Sequence, residues 1–243
     1  DVAGGVGPAP VVAVDADVGS VDPAAVVVGV PVGAVGSVAA VAAVAVVPAA
    51  RAVVAVGAVA DRSMAAVGAE GPVVAGVTVA AAAAALDHPA VRSFEAAHES
   101  EHSLEVQLPF LQCALDSFTL VPLVVGQAAP DTVAEVIELL WDGPETLIVV
   151  STDLSHYLAY DAARRRDSGT CQAVESLDDG RIGHSNACGA TPLRGLLVAA
   201  RRRGLRAVTL DLRNSGDTAA GRGRVVGYGA WMLIEEAQCE RAA

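Results

Sequence analysis

Two apolar runs on either side of an amphipathic segment place the strongest constraint on the fold of this chain. Residues 118–126 (FTLVPLVVG) and Thr146–Ser151 (TLIVVS) are continuous apolar stretches, a pattern typical of strands buried on both faces. The segment between them begins at Pro130 and carries apolar residues at helical spacing. These residues are Val133, Val136, Ile137 and Leu140. The order strand, helix, strand with short connections predicts a βαβ unit, hence a parallel pair with a right-handed crossover.

Other segments extend this pattern on both sides. Further predicted elements are strands at 52–57, 206–211 and 225–234, the last interrupted at Gly227 and Gly229, and a helix at 191–203 with Gly204 as its stop signal. No linker-like stretch divides the sequence, and its length suits one sizeable core. We therefore predict a single α/β domain over residues 1–243, with a mostly parallel or mixed central sheet flanked by helices.

The composition argues against a nucleic-acid groove. The 243 residues carry a net charge of -12 and include no lysine, whereas phosphate binding needs a basic face. The only basic runs are the arginines at 164–166 and 201–203, which we interpret as solvated helix faces or ends. The four cysteines lie far apart, without the close pairs of a zinc knuckle or the density of a disulfide scaffold. They favour a reduced, cytoplasmic setting.

The front of the chain is unusual. The first 85 residues contain no leucine, isoleucine, aromatic residue or histidine, so a core built there from Val and Ala alone would pack poorly. Residues 24–50 carry no charge and are long enough to cross a bilayer. Their Val, Ala and Gly content with two prolines makes insertion unfavourable, so we predict a buried strand and helix and no membrane contact. No signal peptide is recognisable in the sequence as given.

Chemically useful side chains directly follow the predicted strand Thr146–Ser151. Asp153, Ser155 and His156 would project at its carboxyl end, where open α/β sheets bind ligands. A carboxylate beside an imidazole suits either a general acid–base pair or a metal site. The alternative is that Asp153 caps the next turn and His156 lies on the surface. The sequence alone leaves both open.

Two further candidates lie elsewhere in the chain. His102, between Glu101 and Ser103, stands at the start of an amphipathic stretch, where such residues often only cap a helix. Cys188 precedes a predicted helix whose dipole would favour a thiolate, although a lone cysteine is often a small core residue. The chain has no G-x-S-x-G motif for a serine nucleophile and no G-x-G-x-x-G motif for a dinucleotide.

Three motifs together resemble the Memo family, whose bacterial and archaeal members are named AmmeMemoRadiSam system protein B. They are EHSLEVQLPFL at 101–111, STDLSHY at 151–157 and NACG at 186–189. The resemblance implies a fold similar to the class III extradiol dioxygenases, non-haem iron enzymes that open catechol rings. It also implies a pocket in which Cys188 is a metal ligand and Asp153 and His156 lie on the acid–base side. His102 falls in the other signature motif.

The chain departs from the family pattern at two expected metal ligands. The family's two metal histidines align with Gly29 and Ala60, and no histidine precedes His88. The resemblance therefore implies iron or copper bound by an incomplete ligand set, with Cys188 as the one family ligand present. We expect catalytic roles for His156, Asp153 and His102, with Cys188 as metal ligand.

Two functions are compatible with these observations. One is metal-dependent redox or oxygenase-type chemistry in a dioxygenase-like pocket. The alternative is a non-catalytic module that binds a peptide or a small ligand in the same pocket without turnover. Fold alone does not distinguish them.

Overall fold

The computed structural model describes most of the chain from residue 84 onward and three short strands before it. The described residues are 23–28, 52–58, 65–66, 84–94, 97–98, 101–115, 118–141, 143, 145–218 and 221–235. The strands are β1 (Pro23–Val28), β2 (Ala52–Ala58), β3 (Ala65–Ala66), β4 (Thr119–Val125), β5 (Thr146–Ser151), β6 (His156–Leu158), β7 (Leu205–Asn214) and β8 (Val225–Glu235). The helices are α1 (Leu108–Ala114), α2 (Pro130–Leu140), α3 (Tyr160–Glu175) and α4 (Ala190–Arg203), and short 3-10 turns cover Glu105–Gln107, Asp179–Arg181 and Ser215–Asp217.

The strands form a mixed sheet in the order β3-β4-β2-β5-β1-β8-β6, with β7 also paired to β8. Its centre is a block of four parallel neighbours, β4, β2, β5 and β1. At the two sides of this block, β3 joins β4 and β8 joins β1 in antiparallel pairs. β6 and β7 are both antiparallel to β8. The predicted α/β fold with a mixed sheet flanked by helices is confirmed.

The predicted βαβ unit has the expected elements but a different pairing. β4, α2 and β5 follow one another in the chain, and both strands run parallel to β2. β2 lies between them and hydrogen-bonds to both, so the two strands are not neighbours. An apolar run identifies a buried strand, but it does not say which strand fills the gap beside it. Here the earlier apolar run 52–57 fills it.

The apolar faces of α2 and α4 explain their position. α4 packs against α2 and against strands β2, β5 and β7. The four predicted core residues of α2 are buried to between 1% and 4% exposure. α4 ends at Arg203 and is followed by Gly204, whose φ of 68° lies in the left-handed region that glycine adopts without strain. Both helix predictions are therefore confirmed.

The last strand is continuous from Val225 to Glu235, which corrects the predicted interruption at its two glycines. Gly227 and Gly229 both stay within the ladder with β7. Their role is to leave room, because a Cβ at Gly227 would lie 2.0 Å from the Asp167 carboxylate and one at Gly229 would lie 2.0 Å from the Trp231 ring. Close packing, not a chain break, accounts for these glycines.

The predicted surface features lie where the sequence placed them. The arginines at 164–166 and 201–203 are exposed on α3 and at the end of α4.

Residues 24–28 of the uncharged segment belong to β1, and residues 29–50 lie outside the described part of the chain. No helix among the described residues has the length and apolar character needed to cross a membrane.

Candidate functional site

The segment that follows β5 is buried and held against the start of β8. Each of residues 151–155 is at most 3% exposed. The Leu154 N–H donates to the Gly227 carbonyl at 2.9 Å, and the Gly227 N–H donates to the Ser155 carbonyl at 2.8 Å. The short strand β6 then pairs with β8. Backbone hydrogen bonds therefore fix the position of the side chains predicted at the carboxyl end of β5.

Asp153 and His156 form a carboxylate–imidazole pair, which favours the first of the two alternatives left open by the sequence. Oδ2 of Asp153 lies 3.6 Å from Nε2 of His156. The Asp153 side chain is 3% exposed, whereas that of His156 is 34% exposed. The pKa of His156 is raised, mainly by its polar pairing with the Asp153 carboxylate, which outweighs the opposing effect of partial burial.

Cys188 reaches this pair from the turn before α4. Its N–H donates to the Asp153 carbonyl at 3.2 Å, and the Asp153 N–H donates to its Sγ at 3.2 Å. The Thr152 hydroxyl oxygen lies 3.6 Å from the same sulfur and accepts a hydrogen bond from the Gly189 N–H at 2.8 Å. These contacts tie the two chain segments together around the sulfur.

The surroundings of the Cys188 sulfur act against the thiolate that its place before a helix would favour. The residue as a whole is exposed, but its sulfur packs against the backbone of the neighbouring segment, and this desolvation raises the pKa of the Cys188 thiol. The negative charge of Asp153 acts in the same direction, and the hydrogen bond from the Asp153 N–H acts against it. Burial is the largest of these effects and disfavours the thiolate.

Asp153, His156 and Cys188, called the site cluster below, form one candidate metal-binding group. One ligand atom from each lies within 4.8 Å of the other two. They border a cavity of about 260 Å³. Its lining residues are Glu101, Ser103, Ser151, Asp153, His156, Tyr157, Cys188, Gly189 and Val226. Because carboxylate, imidazole and thiolate groups all bind transition metals, the arrangement is compatible with metal binding.

His102, the fourth predicted site residue, is not brought into the site cluster. Its side chain is 62% exposed, and its Nδ1 pairs with Glu105 one turn along the chain, which raises the pKa of His102. Its neighbours Glu101 and Ser103 line the cavity instead. This local pairing at the start of a helical segment matches the alternative that the sequence left open for His102.

Comparison with known proteins identifies the family. A sequence profile described as Memo-like protein matches residues 78–232, which is more than half of the chain. The chain belongs to the Memo family. A MEMO1 family protein of Methanosarcina mazei is 36% identical over 154 residues, covering 58% of this chain and 57% of that protein. One from Archaeoglobus fulgidus is 35% identical over 145 residues, covering 55% of each.

A third Memo relative, from Methanopyrus kandleri, is 35% identical over 147 residues, covering 55% of this chain and 52% of its own length. The chain thus spans about half the length of the curated relatives it matches. The motifs at 101–111, 151–157 and 186–189 all lie within the segment that matches the Memo profile. Gly29 and Ala60, the positions at which the resemblance implied metal histidines, lie outside the described residues.

Two residues that the sequence analysis did not single out hold the segment that carries the candidate site. Gln107 is 1% exposed and its Nε2 donates to the Ser151 hydroxyl at 2.8 Å. Asp167 is 2% exposed and accepts hydrogen bonds from the Ser155 N–H and hydroxyl, both at 3.0 Å. Gln107 could have been found as the polar residue within the mostly apolar second half of the motif at 101–111. Asp167, which follows an arginine run on α3, carries no comparable signal.

Proposed function

We propose that this Memo-family pocket binds a transition metal ion, iron or copper, through Cys188, His156 and Asp153. The observation that supports this most directly is the convergence of their ligand atoms within 4.8 Å. Three protein ligands with a position left open are typical of catalytic zinc sites, whereas structural zinc sites are closed by four. Thiolate and imidazole ligands suit copper and iron, while magnesium and calcium prefer oxygen.

One donor–donor spacing matches that of a bound ion, and the other two are no longer than 4.8 Å. Ligand atoms at about 2.0–2.3 Å from a tetrahedral ion lie roughly 3.3–3.7 Å apart, and the Asp153 and His156 atoms are 3.6 Å apart. The raised pKa of Cys188 adds a condition, because the thiol must lose its proton to become a ligand. Metal uptake should therefore strengthen as the pH rises.

A bound iron or copper ion would supply redox chemistry, in keeping with the resemblance to class III extradiol dioxygenases. The chain's own residues have separate tasks in such a pocket. Asp153 pairs with the His156 ring when no ion is bound, and both side chains would contact the ion when it is present. Glu101 places a second carboxylate at the cavity wall. Beside the pocket, burial and the Asp153 charge raise the pKa of the Tyr228 phenol to about 12.

Metal content tests the proposal directly. We expect wild-type protein, purified under reducing conditions, to contain iron or copper or to take it up on addition. Cys188→Ser should retain less than about a tenth of the wild-type amount. The matched controls are Cys171→Ser and His184→Gln, which alter a buried free thiol and an exposed imidazole outside the site cluster. Equal metal content in Cys188→Ser and Cys171→Ser would refute the assignment.

Turnover needs a separate measurement. We expect catechol with added ferrous iron and oxygen to give a ring-opened product that absorbs in the visible range, and the rate to fall in His156→Gln but not in His184→Gln. A flat trace with protein shown to be loaded with iron would remove the oxygenase part of the proposal and leave metal binding.

A metal-free ligand-binding module is the second candidate. It is favoured by the raised pKa of the partly exposed His156, which shifts the imidazole at the cavity wall towards its protonated, cationic form. Such a pocket would hold a small molecule or a peptide without turnover. Absence of metal from the wild-type protein, together with saturable ligand binding, would select this candidate.

We also propose a cytoplasmic location. Cys171 and Cys188 are both free thiols, as is usual in a reducing compartment. Recovery of the tagged full-length protein in a membrane or secreted fraction would contradict it.

A further inference from the structure

A large aromatic side chain stands exposed at the mouth of the cavity. Tyr157 is 64% exposed, although it also lines the pocket beside His156. The centroids of the two rings are 5.8 Å apart in an edge-on arrangement. The backbone of Tyr157 has a φ of 57°, in the left-handed region that is uncommon for a bulky residue. Residues held in this way cluster at ligand sites.

An arginine with no ion-pair partner among the described residues lies against this ring. The guanidinium carbon of Arg224 is 4.8 Å from the centroid of Tyr157. Arg224 is exposed and lies two residues before Val226, which lines the cavity. In the described part of the chain, Arg201, Arg202 and Arg213 pair with carboxylates, whereas no acidic partner lies within ion-pair distance of Arg224. Several other described arginines also lack an ion pair, so what sets Arg224 apart is its place against an exposed ring at the cavity.

Contact with the ring through the guanidinium carbon leaves the N–H groups of Arg224 available to a ligand. A guanidinium over an aromatic ring uses its face, and its N–H groups point outward in its own plane, where they match the two oxygens of a carboxylate. The exposed Tyr157 ring offers a surface for a second aromatic ring. Together the two side chains form a lip that suits a ring carrying a carboxylate.

We propose that Tyr157 and Arg224 select an aromatic carboxylate as the ligand of this pocket. The carboxylate lies at the Arg224 end, because Glu101 and Asp153 make the cavity wall acidic, and the ring lies along Tyr157 with its far edge towards the site cluster. The cavity of about 260 Å³ is just below the range for drug-sized ligands, which suits a single ring. This inference names the class of ligand for the proposed function. Binding of the ligand does not depend on the proposed metal, whereas any reaction after binding rests on the proposed function.

Three small probes separate the charge from the ring. Benzoate carries both, benzamide carries the ring without charge, and acetate carries the charge without the ring. We expect titration of the full chain, followed by NMR chemical shifts, to show that benzoate binds at least about fivefold more tightly than either other probe. Benzoate no tighter than benzamide, or no saturable benzoate binding, overturns the proposal.

A matched pair of arginines tests the lip itself. Arg222 lies on the same exposed loop and stacks over Tyr160, with its guanidinium carbon 4.4 Å from the ring centroid, but Tyr160 does not line the cavity. We expect Arg224→Gln to weaken benzoate to the level of benzamide and Arg222→Gln to leave it unchanged. Equal weakening by both variants would indicate a general effect of net charge and overturn the proposal.

Tyr157 is tested by a variant that keeps its backbone conformation. Asparagine is enriched at positive φ, so Tyr157→Asn removes the ring without adding strain, and Tyr157→Phe keeps the ring. We expect weaker benzoate binding only in Tyr157→Asn. Unchanged binding in both variants would remove Tyr157 from the lip.

Metal content distinguishes failure of the ligand proposal from failure of the proposed metal site. Arg224→Gln should keep the wild-type metal content, and Cys188→Ser should lose metal while keeping its benzoate preference.

Discussion

Gly227→Ala tests how the buried Asp167 carboxylate is accommodated next to the site. An added Cβ would lie 2.0 Å from Oδ2 and 2.6 Å from Cγ of Asp167. Asp167 is 2% exposed and accepts both Ser155 hydrogen bonds at 3.0 Å, so it cannot turn away without losing one of them. The Gly227 backbone is held as well, because it exchanges hydrogen bonds with Leu154 and Ser155.

The expected loss of stability can be worked from these contacts. Overpacking an interior costs about 1–3 kcal/mol. Removing one hydrogen bond to a charged acceptor costs about 1.5–3 kcal/mol. We therefore expect Gly227→Ala to lower the free energy of unfolding by about 3–5 kcal/mol. For a chain of this size each kcal/mol shifts the melting temperature by about 2–4 °C, so the melting temperature should fall by at least about 6 °C.

Urea unfolding followed by tryptophan fluorescence measures this loss. Gly223→Ala is the control, since a Cβ there has no atom within 4 Å, and it should stay within about 0.5 kcal/mol of the wild type. In the double variant Gly227→Ala/Asp167→Ala, the smaller side chain at 167 makes room for the new methyl group. The double variant should therefore lose less stability than the two single variants added together. Equal stability of Gly227→Ala and Gly223→Ala, or strict additivity with Asp167→Ala, would refute the reasoning.

Three other perturbations probe burial and packing in the same way. Burial raises the pKa of Asp167, so the unfolded chain loses this proton at a lower pH than the folded protein does. Stability should therefore fall as the pH rises through the interval above the ordinary carboxyl pKa. Asp167→Asn should remove this fall, as measured by urea unfolding at several pH values. Gly189→Ala would place a Cβ 2.7 Å from the Cβ of Thr152 and should cost about 1–3 kcal/mol; a neutral result in thermal melts would contradict this. Leu196→Ala, at a fully buried position, should cost about 2–5 kcal/mol, while Leu139→Ala, at 46% exposure, should change stability by less than about 0.5 kcal/mol.

The sequence predicted where the helices and strands lie more successfully than which strands pair with each other. The apolar runs at β4 and β5 and the helical spacing in α2 define those elements locally, because burial on both faces or on one stripe leaves a periodic trace. The insertion of β2 between β4 and β5 leaves no such periodic pattern in the sequence. Strand order depends on which edges meet in space, and residues 52–58 and 119–125 are too far apart in the chain for any local pattern to relate them.

The site was predictable where a residue's chemistry and its strand position agreed. Asp153 and His156 follow a buried strand, so their place at its carboxyl end could be derived from the sequence. The packing around Cys188 could not, because the backbone that desolvates its sulfur comes from a segment 35 positions away along the chain. For His102, Glu105 three residues later offered a closer partner than the cavity.

The start of β8 connects the parts of the site that the sequence treats as separate. Leu154 bonds to the backbone of Gly227, Val226 lines the cavity, and Arg224 reaches the ring of Tyr157. An insertion or deletion in the loop that leads into β8 would therefore displace the site cluster and the lip together. A change of the Arg224 side chain alone leaves the backbone bonds to the site cluster in place. Ligand selection and metal binding can thus be separated by side-chain substitutions here, but not by insertions or deletions.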